Sequence, residues 1–247
     1  MLLKMIVSYD GTDFSGFQRQ PGQRTVQGVL EESFQGLLGS GAIVGGSRTD
    51  SGVHARGQVV TWSGPVPVPL DRVAAVLNRR LPRDIRVGGA EWVADSFHPV
   101  RAARAKYYSY TVARGPEPLW PGLARYAYTV RQPLSWTHLN RAAQLLLGAH
   151  DFWAFRAEGS TAKTTERRIL VSRWSMLEQG AVWRYDVGAT GFLYHMVRIA
   201  VAAMLLAGET QNLDPVRRAL ENPRERKVGV LAPARGLTLE RIEYDRP

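Results

Sequence analysis

An arginine and an aspartate, Arg48 and Asp50, stand two residues apart in GGSRTDSGVHARGQVV (45–60), a run otherwise built of small and turn-forming residues at its start. A carboxylate can attack an electrophilic carbon or remove a proton, and a guanidinium is suited to gripping a phosphate or stacking on a base. Residues two apart in an extended segment project to the same side, so the pair could hold a polyanion and act on one of its sugar carbons. An aspartate ahead of Ser-Gly also serves as a plain turn residue that accepts backbone hydrogen bonds, so the stretch alone leaves both roles open. A strand following the loop would hold it rigid, as a site requires.

A second cation stands apart from its surroundings. From Met196 to Ala207, in MVRIAVAAMLLA, Arg198 is the sole charged residue. A buried guanidinium without a partner is costly, so it must reach the helix edge or meet a carboxylate. A catalytic aspartate is the natural partner, because the pairing keeps the carboxylate ionised. In AKYYSYTV (105–112), strand alternation puts Tyr108 and Tyr110 on one face and Tyr107 on the other. Strand tyrosines commonly just pack, yet in a basic cleft one ring can stack on an unstacked base.

Other chemistries find no support. The histidines, His54, His98, His138, His150 and His195, show no paired ligand spacing, and cysteine is absent, so no metal site is expected. GSGAIVG (39–45) misses a dinucleotide fingerprint by one residue and follows a helical pattern rather than a strand, and no Walker loop or nucleophile elbow occurs, so no cofactor is expected either. Lysine plus arginine number 32 against 22 acidic residues, a formal charge of +10, and the lysines are only Lys4, Lys106, Lys163 and Lys227. Such an arginine-rich excess points to a polyanionic partner. The N-terminal apolar run is too short for a secretory signal and Ile199 to Ala207 too short for a membrane span, so a cytoplasmic chain without membrane contact is the expectation.

The elements that must position these groups follow from periodicity. Residues 2–9 read as a strand, and Thr25 caps a helix whose Val26, Val29, Leu30, Phe34, Leu37 and Leu38 recur at helical spacing until Gly39. A strand at 58–62, a helix from Leu70 to Arg80 and a strand from Ile85 to Trp92 complete a first cycle. The second begins with the tyrosine strand at 105–112 and continues with a helix at 134–147, a hairpin of 167–177 with 181–188, a helix from Phe192 to Ala207, a short helix from Pro215 to Glu221 and a strand at 237–244. RGPEPLWPG (114–122) reads as a surface loop. The predicted class is α+β, with halves at 1–103 and 104–247, each a sheet of antiparallel or mixed strands covered by helices.

Four motifs in this order, YDGTDFSGFQRQ (9–20), SRTDSGVHARGQVV (47–60), AKYYSY (105–110) and FLYHMVR (192–198), resemble those of the tRNA pseudouridine synthases that modify the anticodon stem-loop at tRNA positions 38, 39 and 40. The resemblance implies that Asp50 is the catalytic carboxylate, that Tyr108 stacks on the target uracil, that Arg48 holds the flipped nucleotide and that Arg198 pairs with Asp50. It also implies two similar α+β domains with the active cleft between them, and a homodimer whose tRNA contacts both subunits. Ser47 and Ser51 stand where the family usually has glycine and alanine, Phe17 where it has tryptophan, Tyr107 where a basic residue is common, and Thr238 where it has tyrosine. The implied reaction turns uridine into its C-glycoside and needs no metal or redox cofactor. A non-catalytic RNA-binding protein on a similar sheet, and a metal-independent nuclease or glycosidase acting on RNA, are the rival readings.

Overall fold

A computed structural model describes residues 1–115, 121–160, 162–225 and 227–245; the middle of the RGPEPLWPG segment, 116–120, lies outside the described residues. In chain order the larger elements are β1 (Leu2–Tyr9), α1 (Val26–Leu38), β2 (Ile43–Gly45), β3 (His54–Trp62), α2 (Leu70–Arg80) and β4 (Ile85–Val93). They continue with β5 (Ala103–Arg114), α3 (Leu123–Tyr126), β6 (Tyr128–Val130), α4 (Trp136–Leu145), β7 (Gly148–Asp151), β8 (Glu166–Leu177), β9 (Val182–Ala189), α5 (Met196–Thr210), α6 (Asp214–Glu221) and β10 (Leu237–Tyr244). The α+β class is the one the sequence predicts.

The chain divides into two compact units, Met1–Arg104 together with the chain from Thr238, and Ala105–Leu237. The C-terminal strand therefore packs with the first unit, although its place in the chain puts it in a second half running from 104 to 247. The cause is local. Thr238 and Leu239 of β10 run parallel to His54 and Ala55 of β3, and the Tyr244 hydroxyl donates to the carbonyl of Pro99 at 2.8 Å.

In the first unit, β1 pairs antiparallel with both β3 and β4, and β2 pairs antiparallel with β3. Alternation along β1 buries Leu3, Met5, Val7 and Tyr9, the pattern of a strand with one face on the core. Val26, Leu30, Phe34 and Leu38 of α1 and Val73 and Leu77 of α2 are buried with them, and Phe34 meets Trp62 edge-on at 5.6 Å. The start of α1 is held by Thr25, whose buried side chain accepts from the Gly28 N–H at 3.2 Å. Thr25→Ala is expected to cost about 1 kcal/mol, read as a lower urea midpoint at unchanged slope. An unchanged midpoint would leave this cap without energetic weight.

In the second unit, β5 pairs parallel with β6 and antiparallel with β9, and β9 with β8 and β8 with β7 are also antiparallel pairs. The expected hairpin is thus present as β8 and β9. The expected helix from Phe192 starts four residues later, at Met196, because His195 adopts the left-handed conformation (φ 61, ψ 5) and breaks the turn before it. Phe192 is spent instead on packing against Tyr108. The strands β2, β6 and β7, of three or four residues each, are too short to leave a periodicity, and β3 begins at His54 rather than 58 because β1 and β10 extend its pairing. Among the described residues no helix is long and apolar enough to cross a membrane.

Candidate active site

Asp50 lies in the connection between β2 and β3. β2 leaves its partner after Gly45, opposite Val60, and the chain then runs alongside β3 before re-entering it at His54. Asp50 begins a turn closed by the Val53 N–H donating to the Asp50 carbonyl at 3.1 Å, with Gly52 at φ 77 as the third residue. A positive φ at that position is what glycine supplies without strain. Just upstream, burial alternates: Ser47 and Thr49 are buried, Arg48 is exposed and Asp50 half-buried. The two groups that could do chemistry therefore lie away from the packed side, and the residues between and before them anchor the loop.

The anchors come from two directions. Phe17 N–H donates to the Thr49 carbonyl at 3.0 Å, and the Gly52 N–H and Ser51 hydroxyl both donate to the Phe14 carbonyl, at 3.3 and 3.2 Å. Gly11 N–H donates to Nδ1 of the buried His54 at 3.0 Å. A Cβ on Gly11 would overlap the Val53 carbonyl oxygen, so the two motifs approach as closely as backbones can. Arg24 pins the far side of the 11–24 loop, its guanidinium 3.9 Å from the Phe14 ring centroid and hydrogen-bonded to both Asp84 carboxylate oxygens. From β3, Gln58 holds both backbone polar groups of Ser47, its N–H and its carbonyl, and from β1 the Tyr9 hydroxyl meets Thr49 Oγ1 at 2.7 Å.

Tyr108 and Arg198 belong to the second unit. Tyr108 sits on β5 opposite Val187 of β9, is 8% exposed, and takes the Phe192 ring edge-on at 5.2 Å and 89°. Tyr110, two residues on, is fully buried and donates its hydroxyl to the Pro233 carbonyl at 2.8 Å. Burial pushes the Tyr110 phenol pKa well above its usual range, and the nearby Arg198 charge partly opposes this. Arg198 is half-buried, and its Nε donates to the Ala232 carbonyl at 2.8 Å. Lys106 shares a strand with these tyrosines, and burial lowers its pKa to about 8.

A family profile described as tRNA pseudouridine synthase matches residues 5–100 and 142–245, which include the Asp50 loop and the helix of Arg198. The chain belongs to the tRNA pseudouridine synthase family. It is similar along 98% of its length to proteins named tRNA pseudouridine synthase A: 41% identical to that of Moorella thermoacetica, 37% to that of Acetivibrio thermocellus and 36% to that of Clostridium kluyveri, covering 99% of each. As a member it is an enzyme that isomerises uridine to pseudouridine in tRNA.

Sequence reasoning about this synthase singles out Arg48, Asp50, Tyr108 and Arg198 but misses the residues beneath them. Gln58 is the clearest omission, a fully buried amide that directly precedes the buried Val59 and Val60 in β3. A buried carboxamide must find partners for its donors and acceptor, and that alone marks it as a residue that holds something. Tyr9, Gly11 and Phe192 carry weaker signals, since a strand-end tyrosine and a turn glycine are common everywhere.

Proposed function

We propose that this synthase acts on the anticodon stem-loop of tRNA, at positions 38, 39 and 40, with Asp50 as its catalytic carboxylate. The observation that carries the reading is a half-buried aspartate, beside an exposed arginine, at the start of a turn tied down by backbone hydrogen bonds and buried side chains. Loops that only connect strands have no need of such bracing, whereas a group that must meet a reacting carbon does.

In the reaction the C1′–N1 bond breaks, the uracil turns, C5 joins C1′, and the proton on C5 is lost while N1 gains one, so the product is an isomer. An ionised carboxylate serves this at the sugar, as a nucleophile on C1′ or as a base at C2′. The target nucleotide has to leave the helical stack before Asp50 can reach its ribose. In this reading Tyr108 stacks on the extruded uracil, Arg48 holds its backbone, and Arg198 is the ion-pair partner of Asp50. The arginine excess, within a formal charge of +10, supplies the sequence-independent affinity for phosphate. The resemblance extends the reading to a cytoplasmic homodimer with tRNA contacting both subunits, and no metal or cofactor takes part.

Position is testable from the substrate side. Transcripts labelled with tritium at C5 of uridine, and carrying cytidine at 38, 39 or 40 in turn, should each lose the release belonging to the replaced uridine, and a transcript replaced at all three should release none. Undiminished release from the triple replacement would place the target elsewhere in the tRNA.

A further inference from the structure

We infer that Gln58 is a positioning residue for the isomerisation, acting with Tyr9 to set the backbone that presents Asp50; the inference rests on Asp50 being the catalytic group. Gln58 lies in β3 with no solvent exposure, so it cannot touch RNA, and its effect must pass through what it holds. Its Oε1 accepts from the Ser47 N–H at 3.0 Å, and its Nε2 donates to the Ser47 carbonyl at 2.6 Å. The carboxamide thereby replaces the strand partner that Ser47 loses where β2 ends at Gly45. Nε2 also lies 3.3 Å from the Tyr9 hydroxyl, which in turn meets Thr49 Oγ1 at 2.7 Å. One side chain therefore fixes the chain on both sides of Arg48 and immediately before Asp50.

The choice of residue supports a positioning role over a packing one. Val59, Val60 and Trp62 of the same strand are buried, and an apolar residue at 58 would serve the core equally well without the cost of burying an amide. What an apolar residue cannot do is satisfy the buried N–H and carbonyl of Ser47 and relay the constraint to Thr49 through Tyr9. A catalytic carboxylate needs its approach to the ribose held to a fraction of an ångström, which the relay provides.

The test is single-turnover tritium release with saturating enzyme, alongside tRNA affinity, for Gln58→Met, Tyr9→Phe and Asp50→Ala. Tyr9→Phe keeps the ring that packs beside Phe17 and removes only the bridging hydroxyl, so it decides the matter even if Gln58→Met does not fold. A positioning role lowers the rate constant about 100-fold for Gln58→Met and about tenfold for Tyr9→Phe, with tRNA affinity unchanged. A merely structural role lowers the amplitude, through a smaller folded fraction, and leaves the rate constant alone. A wild-type rate constant for Tyr9→Phe, or losses confined to amplitude or affinity, with Asp50→Ala inactive, overturns the inference and leaves the catalytic reading standing. An active Asp50→Ala overturns the reading itself, and the inference with it.

Discussion

Asp50→Asn is expected to lower the rate constant of tritium release at least about 10⁴-fold, the scale seen when a group that reacts directly is removed, while tRNA still binds. Asparagine has nearly the shape of aspartate, and the turn persists because its closing bond runs from the Val53 N–H to the backbone carbonyl of residue 50. What disappears is the carboxylate, which the proposed function makes the agent of attack at C1′ or of proton removal at C2′. Protein affinity for nucleic acid draws largely on cation–phosphate contacts, to which a carboxylate contributes nothing favourable. Single-turnover release and a binding titration on the same preparation separate the two effects. Release within about tenfold of wild type would remove Asp50 from the chemistry.

Gly11→Ala is the second large effect, and it acts through the backbone that carries Asp50. The added methyl would overlap the Val53 carbonyl oxygen and lie 2.5 Å from its carbonyl carbon. Backbone cannot swing aside as a flexible side chain does, so the 11–24 loop and the Asp50 turn must separate. Val53 closes that turn, and Gly11 itself bonds His54 at the turn's exit. A shift on the order of 1 Å there should cost about 100-fold in rate, with about 1–3 kcal/mol of stability lost to overpacking. Gly89→Ala on β4 provides the control: nothing lies within 4 Å of its added methyl, and it should retain wild-type activity. Equal activity for the two variants would show that the close approach at Gly11 plays no part in presenting Asp50.

Much of this molecule can be read from local pattern, and the failures have physical causes. Apolar spacing and the Thr25 cap locate α1 because a helix buries one stripe and its first N–H groups need an acceptor. The same logic misplaces the start of α5, since Phe192 to His195 are as compatible with a helix as with the turn they form. Only the left-handed backbone at His195 and the docking of Phe192 on Tyr108 decide it. The attachment of β10 to the first unit is invisible locally, because which strand a chain end joins depends on tertiary partners such as His54, Ala55 and the Pro99 carbonyl. At the site, residue types reveal candidates for chemistry, whereas the bracing is legible only once the loop is folded. Thr49 and Ser47 look like ordinary turn residues until Tyr9 and Gln58 are seen to hold them.

The most direct measurement is the pseudouridine content of an unmodified tRNA transcript after a single turnover with saturating wild-type or Asp50→Ala enzyme, the product digested and its anticodon-stem fragment analysed by mass spectrometry with chemical marking of pseudouridine. Conversion by the wild type at one or more of positions 38 to 40, with none by the variant although the tRNA is bound, is the predicted result. Pseudouridine formed at a comparable rate by Asp50→Ala would contradict the account.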